Sequence, residues 1–102
     1  MVLLAYFYRN FAGLSRYFDT MYSLDLLGWG LSSRPRFDPK DSNMETAEAF
    51  FVESLEAWRA KNGIGKMTLA GHSMGGYISV AYCGTSRIVF CFEHALTFFP
   101  LF

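Results

Sequence analysis

Between residues 42 and 61 the apolar side chains Ala47, Phe51, Leu55 and Trp58 recur at steps of three and four, while Glu45, Glu48, Glu53, Glu56 and Arg59 fill the remaining positions. That spacing is the period of one helical face. Ser42-Asn43-Met44-Glu45 has the S-x-x-E form of a capping box, in which hydroxyl and carboxylate each satisfy a free N–H of the first turn. Gly63 supplies a stop. A helix is therefore predicted from this box to residue 61, with Glu45 well placed in the dipole at its start. Phe11, Leu14 and Phe18 repeat the same spacing over residues 9–18, predicting a shorter helix that Asp19 ends.

The other segments read differently. Thr20 to Asp25 reads as a short strand, stopped by the tight loop that Gly28-Trp29-Gly30 marks. Residues 31–43 form a polar connection in which Pro35 and Pro39 forbid a helix. The apolar run at 1–8 hides its period, so strand and helix both remain open there. Met67, Leu69 and Ala70 predict a strand, Tyr77 to Tyr82 a helix that stops near Cys83-Gly84, and Ile88 to Phe92 a strand buried on both faces. Strands alternating with helices indicate a single α/β domain with a mostly parallel sheet over residues 1–102.

The junction of strand and helix carries the candidate chemistry. Gly71-His72-Ser73-Met74-Gly75 is a G-x-S-x-G pattern with a strand before it and a helix after it, the order of a nucleophile elbow. Such a turn holds the serine in a strained conformation that projects its hydroxyl above the sheet, and side chains at Gly71 or Gly75 would collide with the packed strand or helix. Gly76 adds a further close-packing position. Met74 begins the helix, so its backbone N–H lacks an intrahelical partner and can face a developing oxyanion. The same glycines could serve a packing turn or a phosphate cradle. Against the cradle, Gly65-Lys66 precedes the strand and is followed by Met67 rather than Ser or Thr, and the chain holds no G-x-G-x-x-G.

Composition narrows the partners. At 102 residues, 52% hydrophobic and 19% aromatic, with 11 Phe and 6 Tyr, the chain has enough apolar surface for a core and some to leave exposed. A domain of this size buries about 65% of the surface it exposes when unfolded. Nine basic and nine acidic residues cancel, which removes the electrostatic footprint of a nucleic-acid binder and favours apolar partners or aggregation. Cys83 and Cys91 lack metal-site spacing and read as buried free thiols; no cofactor or metal is implied. The opening apolar run lacks a basic flank and ends at Arg9, too short for a signal peptide or a membrane span, so a cytosolic or peripheral location is expected.

Three stretches together carry a family resemblance: Leu24-Asp25-Leu26-Leu27-Gly28-Trp29-Gly30-Leu31-Ser32-Ser33-Arg34-Pro35, then Phe50 to Arg59, then Leu69 to Tyr77. They resemble the α/β-hydrolase fold over roughly residues 6–82, leaving 83–102 as a divergent tail. Within that fold they resemble the lipid-acting subfamily of lysophospholipases, lysophosphatidate acyltransferases and the lipid-droplet lipase co-activator. The resemblance implies Ser73 as nucleophile and Met74 as an oxyanion donor, with Gly71, His72, Gly75 and Gly76 as the structural elbow. This chain keeps the serine that the co-activator branch lacks. It further implies a lipid or lysophospholipid substrate, acyl-CoA where the reaction is acyl transfer, and association with a membrane or lipid-droplet surface. The family's His-Gly oxyanion segment would lie before this chain's first residues, and its cap, triad acid and distant histidine well past the elbow. A partial α/β-hydrolase domain is therefore expected, its sheet gapped or filled by residues 1–5, with open edges that lower stability.

An activated serine needs a base and an acid that orients it, in the order Ser, Asp or Glu, His. His72 precedes the serine in the turn, which directs its side chain elsewhere. Glu93 and His94 follow in the right order, yet neighbours on an extended segment point to opposite faces. Asp25 suits a hydrogen bond that stabilises its loop better than a role in orienting a base, and Asp38 and Asp41 read as solvated. Two functions therefore stand side by side: a serine hydrolase or acyltransferase on glycerolipid, and a catalytically incompetent fragment that binds lipid or protein surfaces.

Overall fold

The computed structural model describes residues 11–36, 38, 40 and 43–85. The chain divides between Pro35 and Arg36 into two compact units.

The first unit opens on helical residues 11–14, which pass into a turn ending at 17. The Ser15 N–H donates to the Phe11 carbonyl at 2.9 Å, and the Tyr17 N–H to the Leu14 carbonyl at 2.9 Å, so the bonding tightens from four residues to three and the helix closes. The helix predicted over 9–18 therefore ends early. Two causes are visible: Ser15 Oγ bonds back to the Ala12 carbonyl at 2.9 Å, and Phe11, Leu14 and Phe18 stay 38%, 42% and 47% exposed, so little burial rewards a longer helix. Residues 26–33 form the expected loop. Gly28 and Gly30 take φ of 85° and 51°, and the Trp29 N–H donates to Leu26 and the Gly28 N–H to Ser33, each at 2.9 Å.

The second unit contains helix α1, Met44–Lys61. Its N-cap is Asn43 rather than Ser42: Asn43 Oδ1 accepts from the Thr46 N–H at 2.8 Å, while Thr46 Oγ1 accepts from the Asn43 N–H at 3.2 Å. The capping box is thus built one residue later than predicted, from an asparagine–threonine pair with the same reciprocal geometry. At the other end Gly63, at φ 65°, follows the C-cap Asn62. The Gly63 N–H donates to the Ala60 carbonyl and the Ile64 N–H to the Arg59 carbonyl, both at 3.1 Å, which makes the stop a Schellman motif.

Helix α2 runs Met74–Thr85 and includes Cys83 and Gly84, where the sequence places its stop; the residues that follow lie outside the described ones. It buries Gly76, Ile78, Ser79 and Tyr82, and packs on α1, which buries Val52, Leu55 and Arg59. The buried stripe of α1 is rotated from the predicted one: Phe51 and Trp58 are only half-buried and an arginine lies inside. Arg59 lies inside because it pairs with the half-buried Glu56, as described below, a link that no apolar pattern reveals.

The strands predicted at 20–25 and 67–70 are not formed. A strand exists only through a ladder with a neighbour, and no such ladder occurs among the described residues; the runs at 1–8 and 88–92, the other candidate strands, lie outside them. Cys83, expected as a buried free thiol, is half-buried and disulfide-bonded; Cys91 lies outside the described residues. Among the described residues no helix is long and apolar enough to cross a membrane.

Candidate functional site

The predicted elbow residues form one tight turn at the start of α2. Ser73 has φ 56°, the only positive φ outside glycine among the described residues. A left-handed conformation costs a side-chain-bearing residue about 1–2 kcal/mol. The turn is closed by two bonds that straddle Ser73: the Gly75 N–H donates to the His72 carbonyl at 3.0 Å and the Tyr77 N–H to the Ser73 carbonyl at 3.1 Å. Ser73 is exposed and His72 half-buried. Met74, the first residue of α2, has no carbonyl four residues back within the helix for its N–H to reach.

Gly71 is fixed by contact with the far side of this turn. A Cβ there would lie 2.2 Å from the Gly75 oxygen, 2.3 Å from the Gly75 carbonyl carbon and 2.5 Å from the Gly76 nitrogen. All three are backbone atoms that cannot swing aside, so the incoming segment and the first turn of α2 approach as closely as they do only because Gly71 lacks a side chain. Gly76 is itself buried. Gly71, His72, Ser73, Met74, Gly75 and Gly76 are thus brought together as one strained, close-packed turn.

The candidate acids and bases are placed elsewhere. Asp25, in the first unit, accepts the Leu31 N–H on Oδ2 at 3.1 Å, and its carbonyl accepts Ser32 Oγ at 2.5 Å. Its Oδ1 is buried with no hydrogen-bond partner. Gly30 leaves room for this carboxylate, since a Cβ there would sit 2.1 Å from Oδ2; Asp25 therefore braces its own loop, as expected. Asp38 is exposed and accepts the Lys40 N–H at 2.9 Å. Asp41, Glu93 and His94 lie outside the described residues, among which His72 is the only histidine. The described residues contain no cluster of His, Cys, Asp and Glu able to hold a metal ion.

Two polar links between the helices are absent from the sequence reading. Arg59, 9% exposed, donates from Nε to Glu56 Oε2 at 2.9 Å and from Nη2 to Glu56 Oε1 at 2.7 Å. Glu56 Oε2 also accepts the hydroxyl of Tyr82, which is wholly buried on α2. These donors, Arg59 first, hold the Glu56 carboxyl at about 2 against an ordinary 4.5, and the same bond raises the Arg59 guanidinium above its usual range. Nearer the elbow, Tyr77 donates its hydroxyl to Glu48 Oε2 at 2.6 Å, which raises the phenol above 10.0. The only signal in the sequence was the three-residue step from Glu56 to Arg59, which on a helix reads equally as a solvated pair.

Residues 4–88 match the family described as alpha/beta hydrolase fold, and the chain belongs to that family. Human 1-acylglycerol-3-phosphate O-acyltransferase ABHD5 is 53% identical over 62 residues, 61% of this chain and 17% of that protein. A rice protein (Oryza sativa subsp. japonica) named probable 1-acylglycerol-3-phosphate O-acyltransferase is 43% identical over 77 residues, 76% of this chain and 18% of its own. The Caenorhabditis elegans abhydrolase domain-containing protein abhd-5.2 is 48% identical over 65 residues, 64% of this chain and 14% of its own. The chain thus spans under a fifth of the length of these curated relatives. No solved structure matches it significantly.

Proposed function

We propose that this chain carries the nucleophile segment of a serine-dependent carboxylic ester hydrolase or acyltransferase acting on lysophospholipid or a related glycerolipid. The observation that carries the reading is Ser73 at φ 56°, exposed, immediately before the first residue of α2. A chain does not hold a non-glycine residue in that region without cause, and such strain gathers at functional sites. Membership of the alpha/beta hydrolase fold family and relatives named 1-acylglycerol-3-phosphate O-acyltransferase support the lipid substrate.

In this reading Ser73 Oγ attacks the acyl carbonyl and its proton passes to a base. The carbonyl oxygen gains the negative charge, which the Met74 N–H and the positive end of the α2 dipole stabilise. Collapse breaks the bond to the alcohol or, from acyl-CoA, the thiol, which takes the proton back from the base as it leaves, and an acyl-serine remains. Water then gives the free acid, or the hydroxyl of a 1-acylglycerol phosphate gives the diacyl product. Such substrates lie at a membrane or lipid-droplet surface, where this protein would act.

A fluorophosphonate probe tests the proposal, because it reacts covalently only with an activated serine. Labelling of the protein that disappears in Ser73→Ala is the expected result. No labelling of folded wild-type protein overturns it in favour of the alternative, a catalytically incompetent chain that acts as a lipid- or protein-binding module.

A further inference from the structure

Arg59 is a nearly buried cation in the last turn of α1, and the reaction does not use it. Burying a guanidinium is costly unless every donor finds a partner, and here the donors are shared between two places. Nε and Nη2 hold Glu56, which in turn accepts Tyr82 from the third turn of α2. Nη1 donates to the carbonyls of Ile64 and, at 3.3 Å, Gly65. Ile64 and Gly65 lead into the elbow, and Tyr82 lies on the helix that leaves it. One side-chain pair therefore grips the chain on both sides of Ser73. The Tyr77–Glu48 bond adds a second strut from α1, one turn beyond the serine.

A strained residue keeps its conformation only where its surroundings over-determine it. We infer that Arg59 and Glu56 are positioning residues: by fixing residues 64–65 and Tyr82 to one point on α1, they hold Ser73 in its left-handed conformation beside the Met74 N–H. The inference rests on the reading of Ser73 as the nucleophile, but its geometric part can be measured without that reading. The fork geometry makes arginine specific here, since a lysine cannot bond the carboxylate twice and still reach a carbonyl.

Tyr82→Phe keeps the buried ring and removes only the hydroxyl. Amide hydrogen exchange at Gly75 and Tyr77, whose N–H groups close the elbow, is expected to speed about tenfold while amides in the middle of α1 keep their protection. The limiting rate of fluorophosphonate labelling is expected to fall about tenfold with the half-saturating probe concentration unchanged, because misplacement affects the reacting geometry more than binding. Glu56→Gln, which leaves Tyr82 intact, is expected to give the same local pattern. Equal acceleration in both helices in the two variants, or unchanged elbow amides, overturns the inference, as does a labelled wild type whose limiting rate survives Tyr82→Phe. A wild type that is never labelled, with exchange still localised to the elbow, sinks the nucleophile reading and leaves the positioning link standing.

Discussion

At the scale of single residues the elbow is a balance between strain and contact. Ser73 holds φ 56°, which glycine adopts without penalty and alanine does not. Ser73→Gly is therefore expected to raise stability by about 1 kcal/mol while Ser73→Ala leaves it near wild type. Urea denaturation of the two variants checks this, and a glycine variant no more stable than the alanine one would show that the turn carries no strain. Gly71 works through space rather than through φ. Gly71→Ala forces a Cβ into the backbone of Gly75 and Gly76 and is expected to cost about 1–3 kcal/mol, the range of overpacking. Gly65→Ala, with nothing within 4 Å of its added atom, is the matched control and should be close to neutral. The strain at Ser73 and the close approach at Gly71 both arise within one short turn, which is why the pattern around them could be picked out from five consecutive letters.

At the scale of helices the sequence was legible along the chain and less so around it. The limits of α1 follow from its caps, which are short-range, and only the capping residue at its start differs: Asn43 bonds Thr46 where the sequence predicts Ser42 and Glu45. Asn43→Ala is accordingly expected to lower stability by about 1 kcal/mol and Ser42→Ala to leave it unchanged; thermal melts that rank them the other way would return the cap to Ser42. The buried face of α1 was misread because Glu56 and Arg59 look like solvated charges until Tyr82, 26 residues further on, supplies the third partner. Hydrogen bonds across such separations leave no periodicity. The strands at 20–25 and 67–70 failed for a related reason, since a strand is defined by a neighbour that its own residues do not name. The Glu56 link also sets a pH dependence. Its carboxyl is depressed from 4.5 to about 2 in the folded chain, so its contribution is complete above 4.5 and is lost as the pH falls through about 2. The urea midpoint of wild type should decline across that interval, and Glu56→Gln should flatten the decline; parallel curves would show that Glu56 has the same pKa folded and unfolded.

At the scale of the whole molecule, the chain divides between Pro35 and Arg36 into two compact units, and the elbow with its two helices belongs entirely to the second. That division has a chemical consequence. Backbone that is exposed and outside helices is where a protease can draw the chain into its cleft, whereas anchored backbone must first unfold locally. Arg16, Arg36 and Lys40 are exposed and lie outside α1 and α2, while Arg59 is buried at the end of α1. Lys66 is exposed too, yet it follows the Ile64 and Gly65 carbonyls that Arg59 holds. Brief trypsin treatment is therefore expected to cut first after Arg16, Arg36 or Lys40 and to leave residues 43–85 on one fragment, with Lys66 protected by the Arg59 anchor. Mass spectrometry of the early fragments decides it. Initial cleavage after Lys66 in wild type would mean that the segment entering the elbow is not held. Protection at Lys66 that Glu56→Gln abolishes, with the sites at Arg36 and Lys40 cut as before, would tie the persistence of the elbow to the same carboxylate that accepts Arg59 and Tyr82.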